Sequence, residues 1–222
     1  AFPLCASVQD DDKRLKEGYK KVIQQLLFWL CPTFVLAGVL AEPLFRFVFT
    51  EKWVPAVPYF RWLCVIGIFY PINLYNLNIL NVKGRSDLYL KLGVIKKALI
   101  TIGVIISLPF GIYALLAFQA LYALFGYFVN SYYSGRFIQY SMIAQLKDVM
   151  PIVILGLFVG ATVLVVDNYL AIFDDWVRLL IGLGFGGALY LSIAHHRDYH
   201  PYRDFLMIIR TKLSGSHFRL KL

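Results

Sequence analysis

The sequence predicts an all-α, polytopic integral membrane protein, folded as a bundle of about six transmembrane helices. Hydrophobic residues make up 59% of its 222 residues and charged residues only 16%. The mean hydropathy is +0.66, which is well above that of ordinary soluble proteins. The charges are bunched between apolar runs, and six of these runs are long enough to cross a bilayer.

The six predicted spans cover roughly residues 22–40, 57–80, 88–108, 113–133, 149–166 and 177–194. Pro32 and Pro71 lie inside spans, where neighbouring helices can satisfy the carbonyl that a proline leaves unpaired. Pro151 is expected in the first turn of span five, a position that favours proline. The uncharged turn 109–111 is so short that spans three and four must be antiparallel neighbours.

The spans divide the chain into three segments. Residues 1–21 are predicted to be a cytoplasmic linker from a preceding helix, residues 22–194 the transmembrane region, and residues 195–222 a basic cytoplasmic tail. In the linker, Asp10 to Asp12 can cap a helix start. In the tail, Pro201 and the Ser-Gly-Ser run indicate irregular chain.

Two connections also carry predictions. Residues 42–58 contain aromatic side chains typical of a membrane surface. Residues 135–148 are predicted to form a mildly basic loop.

The distribution of positive charge predicts the orientation. Of the 22 lysines and arginines, eighteen lie on the side of the two termini, and four lie on the other: Arg46, Lys52, Arg61 and Arg178. The positive-inside rule therefore places both termini in the cytoplasm. This bias explains the net charge of +9 better than nucleic-acid binding does.

Four asparagines interrupt the second span: Asn73, Asn76, Asn78 and Asn81. Helical spacing places Asn73 and Asn76 on one face with Tyr70, and the other two on a neighbouring face. Their amides either join helices by hydrogen bonds or line a cavity for a hydroxyl-rich ligand, since polar groups inside a membrane are candidate functional sites. Both interpretations stay open at the level of sequence.

Three cations lie close to or inside the spans: Arg61, Lys96 and Lys97. Long cationic side chains commonly extend to lipid headgroups. Alternatively, these three face a central cavity and attract an anionic lipid pyrophosphate. Lys97 is the deepest of them and therefore the first candidate.

Two small-xxx-small motifs occur in spans five and six, Gly156/Gly160 and Gly182/Gly186. Glycine allows two helix backbones to approach closely in lipid. We therefore expect spans five and six to pack against each other through these four residues.

The sequence offers no catalytic or metal-binding constellation. The run HHRDYH resembles a fragment of a di-iron histidine box, but such sites need more than the four histidines present. No P-loop pattern occurs, and no carboxylate lies deep in a predicted span. The three cysteines show no metal-ligand spacing. We therefore expect no enzymatic activity, no metal and no cofactor.

Two segments carry a family resemblance: AEPLFRFVFTEKWVPAVPYFRWL at residues 41–63 and LNILNVKGRSDLYLKL at residues 77–92. With the opening AFPLCASVQDDDKRLKEGYKK, they make roughly residues 1–150 resemble the Wzx-type polysaccharide and lipopolysaccharide exporters. These flippases belong to the multidrug/oligosaccharidyl-lipid/polysaccharide exporter superfamily. Spans five and six are recognisable only by their hydropathy.

The resemblance implies a fold like the C-terminal lobe of a MATE-like flippase, with this chain as the last six helices of fourteen. It implies a multi-pass protein of the bacterial inner membrane that moves undecaprenyl-pyrophosphate-linked oligosaccharide during surface polysaccharide assembly. Besides lipid-linked oligosaccharide and membrane lipids, the expected partners are the missing N-terminal lobe and a glycan polymerase. A multidrug exporter and a non-transporting scaffold for glycan assembly are the alternatives.

Overall fold

The computed structural model describes the backbone of residues 12–213 and the side chains of residues 12–207. Its helices are α1 (Asp12–Val39), α2 (Ala41–Phe49), α3 (Val57–Val82), α4 (Ser86–Ser107), α5 (Ile112–Ile138), α6 (Met142–Tyr169), α7 (Asp175–His196) and α8 (His200–Leu213). The predictions for residues 1–11, including Cys5 and part of the helix cap, and for residues 214–222 lie outside this range.

The predicted fold class is confirmed. Within residues 12–213 there is no strand, and six helical segments are long and apolar enough to cross a membrane. They contain α1, α3, α4, α5, α6 and α7. The 22-residue helix α7 extends about 33 Å at 1.5 Å per residue, close to the thickness of a bilayer's hydrocarbon core.

Helix α1 lies at the centre of the bundle. It packs against α3 on one side and α6 on the other, and α5 packs alongside α3. Its buried side chains recur at helical spacing, at Leu15, Tyr19, Ile23, Leu27 and Phe28. This spacing forms one continuous apolar stripe, so α1 buries the face that its neighbours share.

The bundle has two distinct ends. The basic end contains the start of α1, the turn 83–85, the loop 139–141 and the turn 197–199. The aromatic end contains the connections 40–56, 108–111 and 170–174. Exposed aromatic residues surround the aromatic end: Phe47, Phe49, Trp53, Phe110, Tyr113, Tyr169, Phe173 and Trp176.

Helix α4 lies at the edge of the bundle, against α5 and α3. Leu92 and Ser107 are its only fully buried residues. Helices α4 and α5 approach closely at Gly103, where an added β-carbon would collide with the ring of Phe118. The predicted antiparallel pairing of spans three and four is thus confirmed.

The prediction that spans five and six pack against each other is confirmed, but the prediction that all four glycines form their contact is wrong. A β-carbon at Gly156 would lie 3.0 Å from Cys31 Sγ, and one at Gly160 would lie 2.3 Å from Val35 Cγ1. On α7, Gly182 likewise faces Leu40 and Gly186 faces Leu36. Helices α6 and α7 therefore form a groove that receives α1, and they touch each other at Gly186 through Val163.

Two predictions about irregular chain are also wrong. Most of residues 135–148 is helical, because α6 begins at Met142, where the Ser141 side chain accepts a hydrogen bond from the Ala144 amide at 3.3 Å. Pro151 consequently lies inside α6 rather than in its first turn. In the tail, Pro201 lies in the first turn of α8, a position that tolerates proline because it needs no N–H donor.

Candidate functional site

Polar side chains from four helices meet in the half of the bundle nearer the basic end. The buried polar cluster consists of Tyr19 on α1, Asn76 on α3, Ser131 and Ser134 on α5, and Gln145 on α6. None of these residues is more than 2% exposed. A polar group buried this completely is costly unless it forms hydrogen bonds.

Asn76 forms the centre of this cluster. Its Oδ1 accepts hydrogen bonds from Tyr19 Oη at 2.6 Å and from Ser134 Oγ at 2.6 Å. Its Nδ2 donates to Ser131 Oγ at 3.1 Å and to Gln145 Oε1 at 3.2 Å. The Asn76 amide is therefore fully occupied by protein partners, which is the arrangement expected of a residue that joins helices.

A second polar group lies one turn further toward the aromatic end on α3. The amide–lysine chain consists of Asn73 on α3, Asn130 on α5 and Lys96 on α4. Asn130 Nδ2 donates to Asn73 Oδ1 at 3.0 Å and to the Asn73 carbonyl at 3.1 Å. Lys96 Nζ donates to Asn130 Oδ1 at 2.8 Å. The chain thus connects three helices.

The protein backbone fixes the first amide of this chain. Asn73 Nδ2 donates to the carbonyls of Ala123 at 3.0 Å and Phe69 at 3.2 Å. Gly126 makes room for this side chain, because a β-carbon there would lie 3.1 Å from Asn73 Oδ1. Both Asn73 donors are occupied, so its oxygen must face Asn130.

Lys96 is the charged member of the amide–lysine chain. It is half-buried, and its backbone is held by Tyr122 Oη, which donates to the Lys96 carbonyl at 3.0 Å. Within residues 12–207, no carboxylate forms an ion pair with it. An ammonium group has three donors, and Asn130 takes one of them. Lys96 can therefore bind an anionic oxygen.

The other residues proposed from sequence lie elsewhere. Asn78 and Asn81 are half-buried, and their side chains form no hydrogen bond with a described residue. Lys97 is exposed beside Lys96. Arg61 is exposed and donates to the Gly38 carbonyl at 3.1 Å. Arg61 and Asn73 are twelve residues apart on α3, about 18 Å along the helix, so they do not share a site.

The predicted face of α3 also needs correction. Tyr70 is 68% exposed and points away from Asn73 and Asn76. Viewed down the axis of α3, Tyr70, Asn73 and Asn76 are spread over about a third of a turn. Only the two asparagines face α1 and α5.

Sequence reasoning missed Asn130, Ser131 and Ser134, although a detectable signal was present. Asn130 and Ser131 are polar residues within the predicted span 113–133, which is the criterion that identified Asn73, and Ser134 lies one residue beyond its end. Gln145 gave no such signal, because it was assigned to a loop.

At the basic end, a polar clasp joins α1 to α6. Asp148 accepts hydrogen bonds from Lys20 Nζ at 2.7 Å and from Tyr140 Oη, and Gln24 Nε2 donates to the Asp148 carbonyl at 3.1 Å. Burial, and next the hydrogen bond to Asp148, raise the pKa of Tyr140 well above its usual value. The clasp and the buried polar cluster hold α1, α3, α5 and α6 together at this end.

At the aromatic end, a buried ion pair joins α6 to α7. Arg178 donates to both oxygens of Asp167, at 2.9 Å and 2.8 Å, and to Asp175 at 3.2 Å. Arg178 and Asp167 are less than 10% exposed, so the guanidinium is neutralised where it is buried. This pairing leaves Lys96 as a better candidate than Arg178 for binding a ligand.

Three relatives bear on the family of this chain. The lipopolysaccharide biosynthesis protein WzxC of Escherichia coli (strain K12) is 28% identical over 106 residues, which are 48% of this chain and 22% of that protein. The teichuronic acid biosynthesis protein TuaB of Bacillus subtilis (strain 168) is 30% identical over 88 residues, 40% of this chain and 18% of TuaB. An uncharacterized membrane protein in the cps region of Klebsiella pneumoniae is 30% identical over 66 residues, 30% of this chain and 14% of that protein.

A family model described as polysaccharide biosynthesis protein matches residues 1–58. Over part of its length, the chain is similar to proteins of polysaccharide biosynthesis, one of them of the Wzx type. The resemblance stated from its sequence is thereby confirmed for part of the chain. The alignments span no more than 22% of the length of these relatives. No solved structure matches the chain, so its likeness to one lobe of a MATE-like fold stays a prediction.

Proposed function

We propose that this chain is part of an exporter that carries a lipid-linked oligosaccharide across the bacterial inner membrane for surface polysaccharide assembly. The single observation that carries the proposal is Lys96. It is a half-buried cation within a candidate membrane span, held by an amide instead of a carboxylate. The substrate class is inferred from relatives named for lipopolysaccharide and teichuronic acid biosynthesis.

The amide–lysine chain suits such a substrate chemically. A lipid-linked oligosaccharide of the undecaprenyl-pyrophosphate type carries its negative charge next to the membrane. A compact ammonium attracts that charge strongly. Lys96 keeps N–H donors that Asn130 does not use, so it can bind a phosphate oxygen while it stays attached to α5.

We propose no direct contact between the substrate and Asn73 or Asn76. Asn73 contributes indirectly, because its amide groups are bonded to Asn130 and to backbone carbonyls. Asn76 contributes to packing, since all its bonds are to protein. Lys97 and Arg61 lie outside the proposed site.

Transport by alternating access requires a second lobe, because the substrate cavity lies between two lobes that move relative to each other. We therefore propose that the remainder of a longer protein faces the side of the bundle that carries α4. We propose that both termini are cytoplasmic, which puts the basic end and Lys96 nearer the leaflet where the substrate is assembled. The positive-charge bias supports this orientation.

The test uses the full-length protein with Lys96→Ala and, as a matched control, Lys97→Ala. Surface polysaccharide is measured by immunoblot, and protein is quantified in the same membranes. A charge-assisted hydrogen bond contributes about 1.5–3 kcal/mol, so Lys96→Ala should reduce export about tenfold or more. Lys97→Ala should leave it unchanged.

Lys96→Arg should retain part of the activity, because it keeps the charge but not the compact ammonium. Normal export by Lys96→Ala at normal protein level would contradict the proposal and would favour a non-transporting scaffold.

A further inference from the structure

Two adjacent lysines on α4 have different surroundings. Lys97 is exposed, whereas Lys96 is half-buried and donates to Asn130 Oδ1 at 2.8 Å. A lysine within a membrane span either extends its ammonium toward headgroups and water or is held by a polar partner inside the bundle. Lys96 reaches across to α5, so a specific partner keeps it there.

That partner has a fixed orientation. Both hydrogen bonds of Asn130 Nδ2 go to oxygens of Asn73, its side-chain amide and its backbone carbonyl. If the Asn130 amide were turned over, its oxygen would face these two acceptors and its Nδ2 would face a cation. Only the observed orientation satisfies every partner, so Asn130 presents an oxygen to position 96.

The orientation of Asn130 follows from the fold itself. Asn73 is fixed by the Ala123 and Phe69 carbonyls, and it in turn fixes Asn130, which is 1% exposed. The oxygen of each amide faces the next member of the chain, Asn73 Oδ1 facing Asn130 and Asn130 Oδ1 facing Lys96 on α4. The end of this chain is therefore a built acceptor for a cation.

We propose that Asn130 is a positioning residue that holds the Lys96 ammonium inside the bundle, where it binds the anionic group of the transported lipid. This inference rests on the proposed function. Asn130 does not touch the substrate. It acts by deciding whether the charge at position 96 points into the bundle or out toward headgroups, and Asn73 acts through Asn130.

The first experiment measures the position of the ammonium without reference to transport. The full-length protein in native membranes is treated with a small amine-acylating reagent, and labelling at Lys96 and Lys97 is quantified by peptide mass spectrometry. In the wild type we expect Lys96 to react about tenfold more slowly than Lys97, because its nitrogen is bonded. With Asn130→Leu, Lys96 should react as fast as Lys97.

The variant Asn130→Asp tests two things separately: whether the Lys96 ammonium is held in place, and whether its positive charge is available to the substrate. The carboxylate keeps the acceptor, so Lys96 should stay protected in the labelling experiment. It also neutralises the ammonium, so export should fall as far as with Lys96→Ala. The carboxylate also places an oxygen against the two Asn73 oxygens that Nδ2 contacts, so a purely structural role for Asn130 predicts that export falls only as far as the amount of protein in the membrane falls. Asn130→Asp also replaces Asn130→Leu as the informative variant if the leucine variant does not accumulate.

The outcomes distinguish this inference from the proposed function. Equal labelling of Lys96 and Lys97 in the wild type, or continued protection of Lys96 in a folded Asn130→Leu variant, would overturn the positioning role. The expected labelling together with normal export by Asn130→Asp and Lys96→Ala would refute the transport role of the charge. Expected labelling with loss of export supports both.

Discussion

Replacing Asn76 by leucine should destabilise the bundle strongly. Asn76 forms four side-chain hydrogen bonds, with Tyr19, Ser131, Ser134 and Gln145. Hydrogen bonds between membrane helices average about 0.6 kcal/mol and reach about 1.7 kcal/mol. Four of them correspond to about 2–7 kcal/mol.

A second estimate considers the groups that lose their acceptor. Asn76→Leu removes the 2.6 Å acceptor of the Tyr19 and Ser134 hydroxyls and leaves Ser134 Oγ only the Ser131 carbonyl at 3.5 Å, and both residues are at most 1% exposed. A buried donor without a partner costs about 1–3 kcal/mol, so two cost about 2–6 kcal/mol. The two estimates agree, and we expect the free energy of unfolding to fall by about 2–6 kcal/mol.

The matched control is Asn78→Leu. Asn78 lies on the same helix and is half-buried, but its side chain has no hydrogen bond with any residue between 12 and 207. This variant should lose less than about 1 kcal/mol. Unfolding is measured in mixed detergent micelles by circular dichroism as the fraction of denaturing detergent rises.

A double variant tests the cause of the loss. If orphaned hydroxyls are responsible, adding Ser134→Ala to Asn76→Leu should cost less than the sum of the single changes, because one orphan is removed. Equal destabilisation by Asn76→Leu and Asn78→Leu would refute the reasoning, since a mere change of volume or polarity in α3 would then explain both.

Two further predictions concern packing and orientation. Gly160→Leu should lower thermal stability in detergent, because its side chain would collide with α1, whereas Gly184→Leu should be tolerated, since nothing lies within 4 Å of a β-carbon there; equal stability of the two variants would mean that α1 does not occupy the groove. In a cysteine-free background, an impermeant maleimide on intact cells should label a cysteine at Thr50 and not one at Ser216, and the reverse pattern would invert the proposed topology.

The spans could be predicted from sequence because hydropathy is summed over about 20 residues, so a misjudged residue changes little. The start of α6 could not, because polar residues such as Gln145 and Asp148 resemble a loop until their partners on other helices are known. For the same reason Pro151 was assigned to a first turn. A one-dimensional pattern does not show where a polar helix extension will be covered.

The sequence also could not show which helix packs against the glycine motifs. A small-xxx-small motif shows that some helix approaches closely, but not which one, and Gly160 meets α1 instead of α7. Lys96 and Lys97 are adjacent on a helix and differ by about 100° in direction. Which of them faces inward depends on the location of α5, and that is set by contacts distant in sequence.

Any tilt of α4 against α5 would pivot about the contact between Gly103 and Phe118. Lys96 lies seven residues from it, a lever arm of about 10 Å along the helix. A rocking of α4 by about 10° would carry position 96 through about 2 Å, enough to break its 2.8 Å bond to Asn130. A small tilt of α4 would thus strain the link between Lys96 and α5 while leaving the contact at Gly103 almost in place.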